Sequence, residues 1–179
     1  MGWKICCSCT SIRNILIMNE IHNTAKISAL ADLETSQKGS KLVIAANVMI
    51  DSFVKIKFTG GTGNIEIGES SYINSGCVLY SGNGIKIGKN VLIAANCTFA
   101  AVNHEYEAKG KTIMEQRFKQ SKGGITIEDD VWIGAGAIIL DGAYLKKGCV
   151  IGAASIVGIT TEEFGVYYGK PLALKKYRQ

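Results

Sequence analysis

Residues 125–158 read ITIEDDVWIGAGAIILDGAYLKKGCVIGAASIVG, and steps of six from Ile127 land on Ile133, Ile139, Leu145, Ile151 and Val157. Every landing is a large aliphatic residue. The same step leads from Ile87 to Ile93 and Phe99, from Ile67 to Ile73 and Leu79, from Ile44 to Ile50 and Ile56, and from Ile21 to Ile27 and Leu33. A period of six matches neither the 3.6-residue helix face nor the two-residue alternation of a long strand. It fits short strands with a corner every sixth residue, three strands to a coil, stacked as repeats. The residue two before many anchors is small or β-branched: Val48, Val54, Cys77, Val91, Cys97, Val131, Cys149 and Ser155. Residues i and i−2 share a strand face, so both sets are expected to point inward. Gly or Ala follows many anchors (Gly68, Gly88, Ala94, Gly134, Gly152), where a tight corner is expected.

The interruptions carry as much information as the repeats. Leu33 to Ile44, Ile56 to Ile67, Leu79 to Ile87 and Phe99 to Ile127 all exceed six residues, and each gap follows the third strand of a coil. All the insertions therefore leave from one edge of a triangular prism, and insertions on one side of a solenoid commonly mark its binding side. The spacing divides the chain into an N-terminal cap segment at 1–20, a parallel β-helix at 21–161 with a loop insertion at 105–124, and a C-terminal tail at 162–179. The cap is expected to cover the open edge of the first coil.

Composition excludes several classes. The chain has 179 residues, 47% apolar and 20% charged, with 21 Gly and a single Pro, Pro171. That is ordinary for a globular protein and incompatible with disorder. The net charge of +5 comes without a basic run, so it suits a small anionic ligand and gives no sign of nucleic-acid binding. Nothing is long and apolar enough to span a membrane. The six cysteines (6, 7, 9, 77, 97 and 149) form no disulfide framework, and no secretory h-region precedes a cleavage site, so a cytoplasmic protein is expected. Cys77, Cys97 and Cys149 read as core packing. Cys6, Cys7 and Cys9 lack the spacing and the second pair of a zinc site, so no metal is expected.

On these residues the chain resembles the hexapeptide-repeat acyltransferases over about residues 21–171. The likeness is strongest in VWIGAGAII at 131–139 and in Asn103-His104. Within that family it looks most like sugar O-acetyltransferases, such as the galactoside and maltose enzymes and those that decorate surface polysaccharides. The resemblance implies an all-β, left-handed parallel β-helix of about six triangular coils with one long loop insertion and short terminal caps. It also implies acetyl-CoA as co-substrate, a carbohydrate acceptor, and a homotrimer with active sites between subunits.

Only His22 and His104 are available as imidazoles. His104 stands at the root of the longest insertion. Acetyl transfer to a hydroxyl needs a base near neutrality, which suits imidazole, and the resemblance places the catalytic histidine there. Its orienting acceptor is left open between Glu105, Glu107 and a backbone carbonyl; His22 reads as structural. By resemblance, the Ala135 N–H stabilises the oxyanion, and Ala135, Ala153 and Gly158 hold the CoA arm. Asn74 matches an acceptor-contacting position, but the acidic residue expected one turn later is replaced by Gly82 and Asn83. Tyr80 and Tyr106 are candidates for stacking on a sugar ring. The family's Thr-Lys pair after the last coil is replaced by Gly158-Ile159, which leaves Lys170, Lys175, Lys176 and Arg178 as candidate phosphate contacts, Lys170 and Lys176 first.

The alternative within the family is an N-acetyltransferase acting on a nucleotide-linked amino sugar. A γ-type carbonic anhydrase on the same prism would need three histidines around zinc. An ice-binding helix would show rows of Thr, which the outward positions lack. A binding module without catalysis would keep CoA affinity and transfer nothing.

Overall fold

The computed structural model describes residues 3–4 and 19–179. Cys6, Cys7 and Cys9, with most of the 1–20 segment, lie outside the described residues. Eighteen short strands wind into six coils of three, and each strand pairs in parallel with its counterparts one coil away. The first sheet stacks Glu20–His22, Leu42–Ile44, Ile65–Ile67, Ile85–Ile87, Ile125–Ile127 and Tyr144–Leu145. The second stacks Lys26–Ile27, Met49–Ile50, Tyr72–Ile73, Leu92–Ile93, Trp132–Ile133 and Val150–Ile151. The third stacks Asp32–Leu33, Lys55–Lys57, Val78–Tyr80, Thr98–Ala100, Ile138–Leu140 and Ile156–Val157.

The six-residue anchors are the cross-coil partners. Ile21, Ile44, Ile67, Ile87, Ile127 and Leu145 face one another along the first sheet. Ile27, Ile50, Ile73, Ile93, Ile133 and Ile151 do so along the second. Leu33, Ile56, Leu79, Phe99, Ile139 and Val157 form the third column. From Ile44 onward every anchor is buried, as are the i−2 residues Val48, Val54, Cys77, Val91, Cys97, Val131, Cys149 and Ser155. Ile21, Ile27 and Leu33 are half-buried, because among the described residues no seventh coil stacks beneath the first. Cys77, Cys97 and Cys149 are free thiols in this core, and burial pushes the Cys149 thiol up.

The corners differ from the sequence expectation. The glycine just after an anchor does not supply the unusual backbone. A Cβ at Gly68 would sit 2.4 Å from the Gly88 carbonyl oxygen, and one at Gly134 would sit 2.6 Å from the Ala153 nitrogen, so the next coil's backbone excludes a side chain. The left-handed residue falls three past the anchor: Asn47, Phe53, Ser70, Gly76, Asn90, Asn96, Asp130, Gly136, Gly148 and Ala154 all have positive φ. Asn, Asp, Ser and Gly tolerate that conformation, so most of these corners are chemically cheap.

Past the sixth coil, residues expected as a tail add two strands to the second sheet. Gly165–Tyr168 joins in parallel and Ala173–Tyr177 returns antiparallel. At the other end, Trp3–Lys4 pairs antiparallel with Glu20–His22. The outer faces of the sheets differ. Met49, Tyr72, Leu92, Trp132, Val150 and Val166 form an apolar column in register on the second sheet. The first sheet presents Glu20, Val43, Glu66, Lys86, Thr126 and Tyr144. No helix among the described residues is long and apolar enough to cross a membrane.

Candidate active site

The long insertion is a hairpin that presents His104. Its arms are joined at His104 and Phe118, by the Glu105 N–H donating to the Arg117 carbonyl (3.0 Å), and by the Lys119 N–H donating to the Asn103 carbonyl (2.8 Å). Its tip is a single helical turn, Ile113–Gln116, started by a capping box between Thr112 and Glu115. The Gln116 amide closes the tip against the backbone of Ala108 and Lys111. The root is fixed by Asp141, a carboxylate only 5% exposed, which accepts from the N–H groups of Lys122 and Gly124 (both 2.9 Å) and from the Asn83 amide (3.3 Å). The sequence reading missed Asp141, since an Asp in a hexad corner looks like any solvated turn residue.

His104 is exposed, and its Nδ1 lies 3.1 Å from the Arg117 carbonyl oxygen. A carbonyl only accepts, so Nδ1 carries the proton and Nε2 presents its lone pair outward. The Phe118 ring flanks the imidazole, centroids 4.9 Å apart at 37°. Of the three orienting groups left open by the sequence, the backbone carbonyl makes the bond. Glu105 instead accepts from the amides of Tyr106 and Glu107, which hold its carboxyl below the usual carboxylate range. Arg117 itself has φ 65° and ψ −142°, a region that side chains avoid. Tyr106 is exposed on the same hairpin with the Lys119 ammonium 4.9 Å from its ring centroid. His22 bonds Thr24 in a local turn of the first coil.

The expected site residues fall on two different edges of the prism. His104, Tyr80, Tyr106, Asn83 and Gly158 lie at or beyond the end of the third sheet, on the insertion edge. Asn83 already donates its amide to Asp141 there. Asn74, Ala135 and Ala153 lie on the corner between the second and third sheets, so a full strand of the third sheet separates them from His104. Gly158 is thus not in the row formed by Ala135 and Ala153.

That corner changes character along the prism. In the lower coils the side chains of Asp51 and Asn74 accept from the next residue's N–H, Ser52 and Ser75, each at 2.7 Å. In the upper coils the corresponding positions are Ala94, Gly134 and Gly152, which have no side-chain acceptor. Among the described residues the N–H groups of Ala95, Ala135 and Ala153 donate to no protein acceptor, leaving a row of donors for a ligand.

Lys176 lines a cavity of about 580 Å³ with Trp132, Val150, Val166, Tyr177 and Arg178. Arg178 is committed to the fold, donating to the Asp130 carboxylate (2.9 Å) and the Gly148 carbonyl (2.9 Å). Lys170 precedes Pro171 in the turn between the last two strands. No group of three metal-ligating side chains occurs among the described residues.

Comparison with known proteins agrees with this architecture. The family described as bacterial transferase hexapeptide (six repeats) matches residues 124–158. The galactoside O-acetyltransferase of Lactococcus lactis is 30% identical over 116 residues, 65% of this chain and 54% of the relative. The chain therefore spans about half the length of this curated relative. The structure of AntD, an N-acyltransferase from Bacillus cereus in complex with dTDP and 3-hydroxybutyryl-CoA, superposes with a TM-score of 0.64 at 23% identity, covering 89% of this chain and 80% of that one. A maltose O-acetyltransferase from Clostridium difficile gives 0.58 at 20% identity, covering 88% and 68%. At such identities these two likenesses speak for the fold alone, a left-handed parallel β-helix. With its repeats in register and its insertions on one edge, the chain carries the transferase hexapeptide repeat over residues 124–158 and is similar to the acetyltransferases that share it.

Proposed function

We propose that this chain is an acetyl-CoA-dependent O-acetyltransferase that acetylates a hydroxyl of a sugar or surface polysaccharide by direct transfer. The observation that carries this reading is the exposed His104 imidazole with its proton held on Nδ1 by the Arg117 carbonyl. Nε2 takes the proton of the acceptor hydroxyl as its oxygen attacks the thioester carbonyl carbon. The Ala135 N–H stabilises the oxyanion of the tetrahedral intermediate. Collapse breaks the C–S bond, and the imidazolium returns its proton to the departing CoA thiolate. Ala135 and Ala153 offer N–H groups to the pantetheine arm, and Lys170 and Lys176 are the cations for its phosphates.

His104 and Ala135 occupy different edges of one prism, so a centre that uses both draws them from two copies. A homotrimer with sites between subunits meets that requirement, and the apolar column on the second sheet supports a covered face. The likeness to the galactoside O-acetyltransferase of Lactococcus lactis supports a sugar hydroxyl as acceptor. Acetylation of a nucleotide-linked amino sugar is the second reading, because the same imidazole can accept a proton from an attacking amine.

The test is thiol release from acetyl-CoA over a panel of hexoses, amino sugars and oligosaccharides, for wild type and His104→Ala. Acceptor-dependent release that drops by about 10² or more in the variant, the scale of a lost general base, is the expected outcome. Release that survives the substitution removes His104 from the mechanism. Turnover with amine acceptors only selects the second reading.

A further inference from the structure

We propose that the lower half of the corner between the second and third sheets is an acceptor subsite for a polyhydroxylated ring, read by the Asp51 carboxylate and the Phe53 ring. The proposal rests on the transferase reading only for the identity of the reaction. Asp51 follows the Met49–Ile50 strand, one coil below Asn74 and on the same corner as Ala95, Ala135 and Ala153. Its Oδ2 accepts from the Ser75 hydroxyl (2.8 Å) and the Tyr72 hydroxyl (3.2 Å), and its Oδ1 from the Ser52 N–H (2.7 Å). These donors, the Ser52 amide first, hold the carboxyl below its usual range. No described Lys or Arg forms an ion pair with it. The carboxylate opens on a cavity of about 370 Å³ lined with Lys26, Ser28, Met49 and Tyr72.

Phe53 is the second, independent observation. It occupies the left-handed position of its corner, φ 63°, yet is 64% exposed. The equivalent position is Gly76 in the coil above and Leu30 in the coil below, where Leu30 is exposed but lacks the left-handed backbone. A bulky residue there is strained, and a ring so exposed returns little burial to the fold. Strain kept without a packing gain marks a functional position.

The chemistry of the corner selects the ligand class. An ionised carboxylate accepts hydroxyl protons, and the Ser75 and Tyr72 oxygens, having donated to Asp51, present lone pairs. The set therefore favours a ligand rich in O–H donors, with the Lys26 ammonium at the cavity wall available to a ring or hydroxyl oxygen. An exposed ring takes the C–H face of a pyranose.

The experiment uses the full chain. Binding of maltotriose, methyl β-galactoside and glucosamine is titrated calorimetrically into His104→Ala, which excludes turnover, and into its double variants with Asp51→Asn and Phe53→Asn. Acceptor and acetyl-CoA KM values and Tm are measured for Asp51→Asn and Phe53→Asn in the wild-type background. We expect each to weaken binding of at least one probe and to raise acceptor KM by about tenfold, the scale of one lost charged hydrogen bond, with acetyl-CoA KM held within about twofold. Phe53→Asn should also raise Tm by a few degrees, because Asn tolerates the left-handed backbone; a purely structural Phe53 would lower it. Unchanged binding and acceptor KM in both variants overturns the subsite, as does absence of binding by all three probes. Probe binding that depends on Asp51 and Phe53 without thiol release leaves the subsite standing and refutes the transferase reading. Transfer with unaltered acceptor KM does the reverse.

Discussion

Asp141 and His104 are the two side chains on which the insertion turns. His104 stands exposed with its Nδ1 on the Arg117 carbonyl, while Asp141 holds the loop's root by satisfying two backbone donors and the Asn83 amide inside the wall. Truncating a buried acceptor leaves its donors unpaired, at about 1–3 kcal/mol each. Asp141→Ala is expected to cost about 3 kcal/mol, read as a lowered urea midpoint, and to reduce thiol release through a loosened hairpin. Asp141→Asn, which retains one acceptor oxygen, should cost less. An unaltered midpoint in Asp141→Ala would show that the loop is anchored elsewhere. The sequence could nominate His104 because imidazole is scarce in this chain. It could not nominate Asp141 or the Arg117 carbonyl, since their roles depend on backbone groups far away in sequence or invisible in residue identity.

At the level of the strand and coil, stability is a sum of stacked layers, each touching only the layers above and below. Ile93 is fully buried in the fourth coil, between Ile73 and Ile133. Ile27, its counterpart in the first coil, is half-buried with Ile50 on one side. Ile93→Ala is therefore expected to cost about 2–5 kcal/mol and Ile27→Ala clearly less, measured by chemical denaturation. Equal losses would mean that the lower end is covered as fully as the middle. The hexad was legible in sequence because three columns of large apolar residues, all aliphatic except Phe99, repeat in step. The corner was misread by two residues, because glycine serves two purposes here: some glycines permit a backbone angle, and others make room for the next coil.

For the whole molecule the decisive fact is that His104 and Ala135 are on different edges. Co-expression of His104→Ala with Ala135→Pro, which removes the amide hydrogen, is expected to restore thiol release that neither variant shows alone, with both retaining a cooperative melt. No restoration would place each active centre within a single chain. Acid should destabilise the fold through its paired carboxylates. Glu128 is held below its ordinary value chiefly by the Tyr144 hydroxyl and then by the Lys147 N–H, and Asp51 and Glu105 are lowered by backbone donors. A depressed folded pKa contributes stability above the unfolded value, near 4 for carboxylates, that is lost as pH falls through the folded one. Tm should therefore decline as pH drops from about 5 toward 3, and Glu128→Gln should decline less steeply; parallel curves would count against this pairing.

The sequence alone determined the period, the six coils, the inward columns and the edge from which every insertion leaves. A solenoid repeats one local rule, and a local rule is written in the chain. Only the tertiary structure decided which N–H groups are left free at the upper corner, which carbonyl orients His104, and that the expected site residues divide between two edges. Those are properties of how distant coils stack, and stacking brings together residues whose separation in sequence carries no record of their meeting.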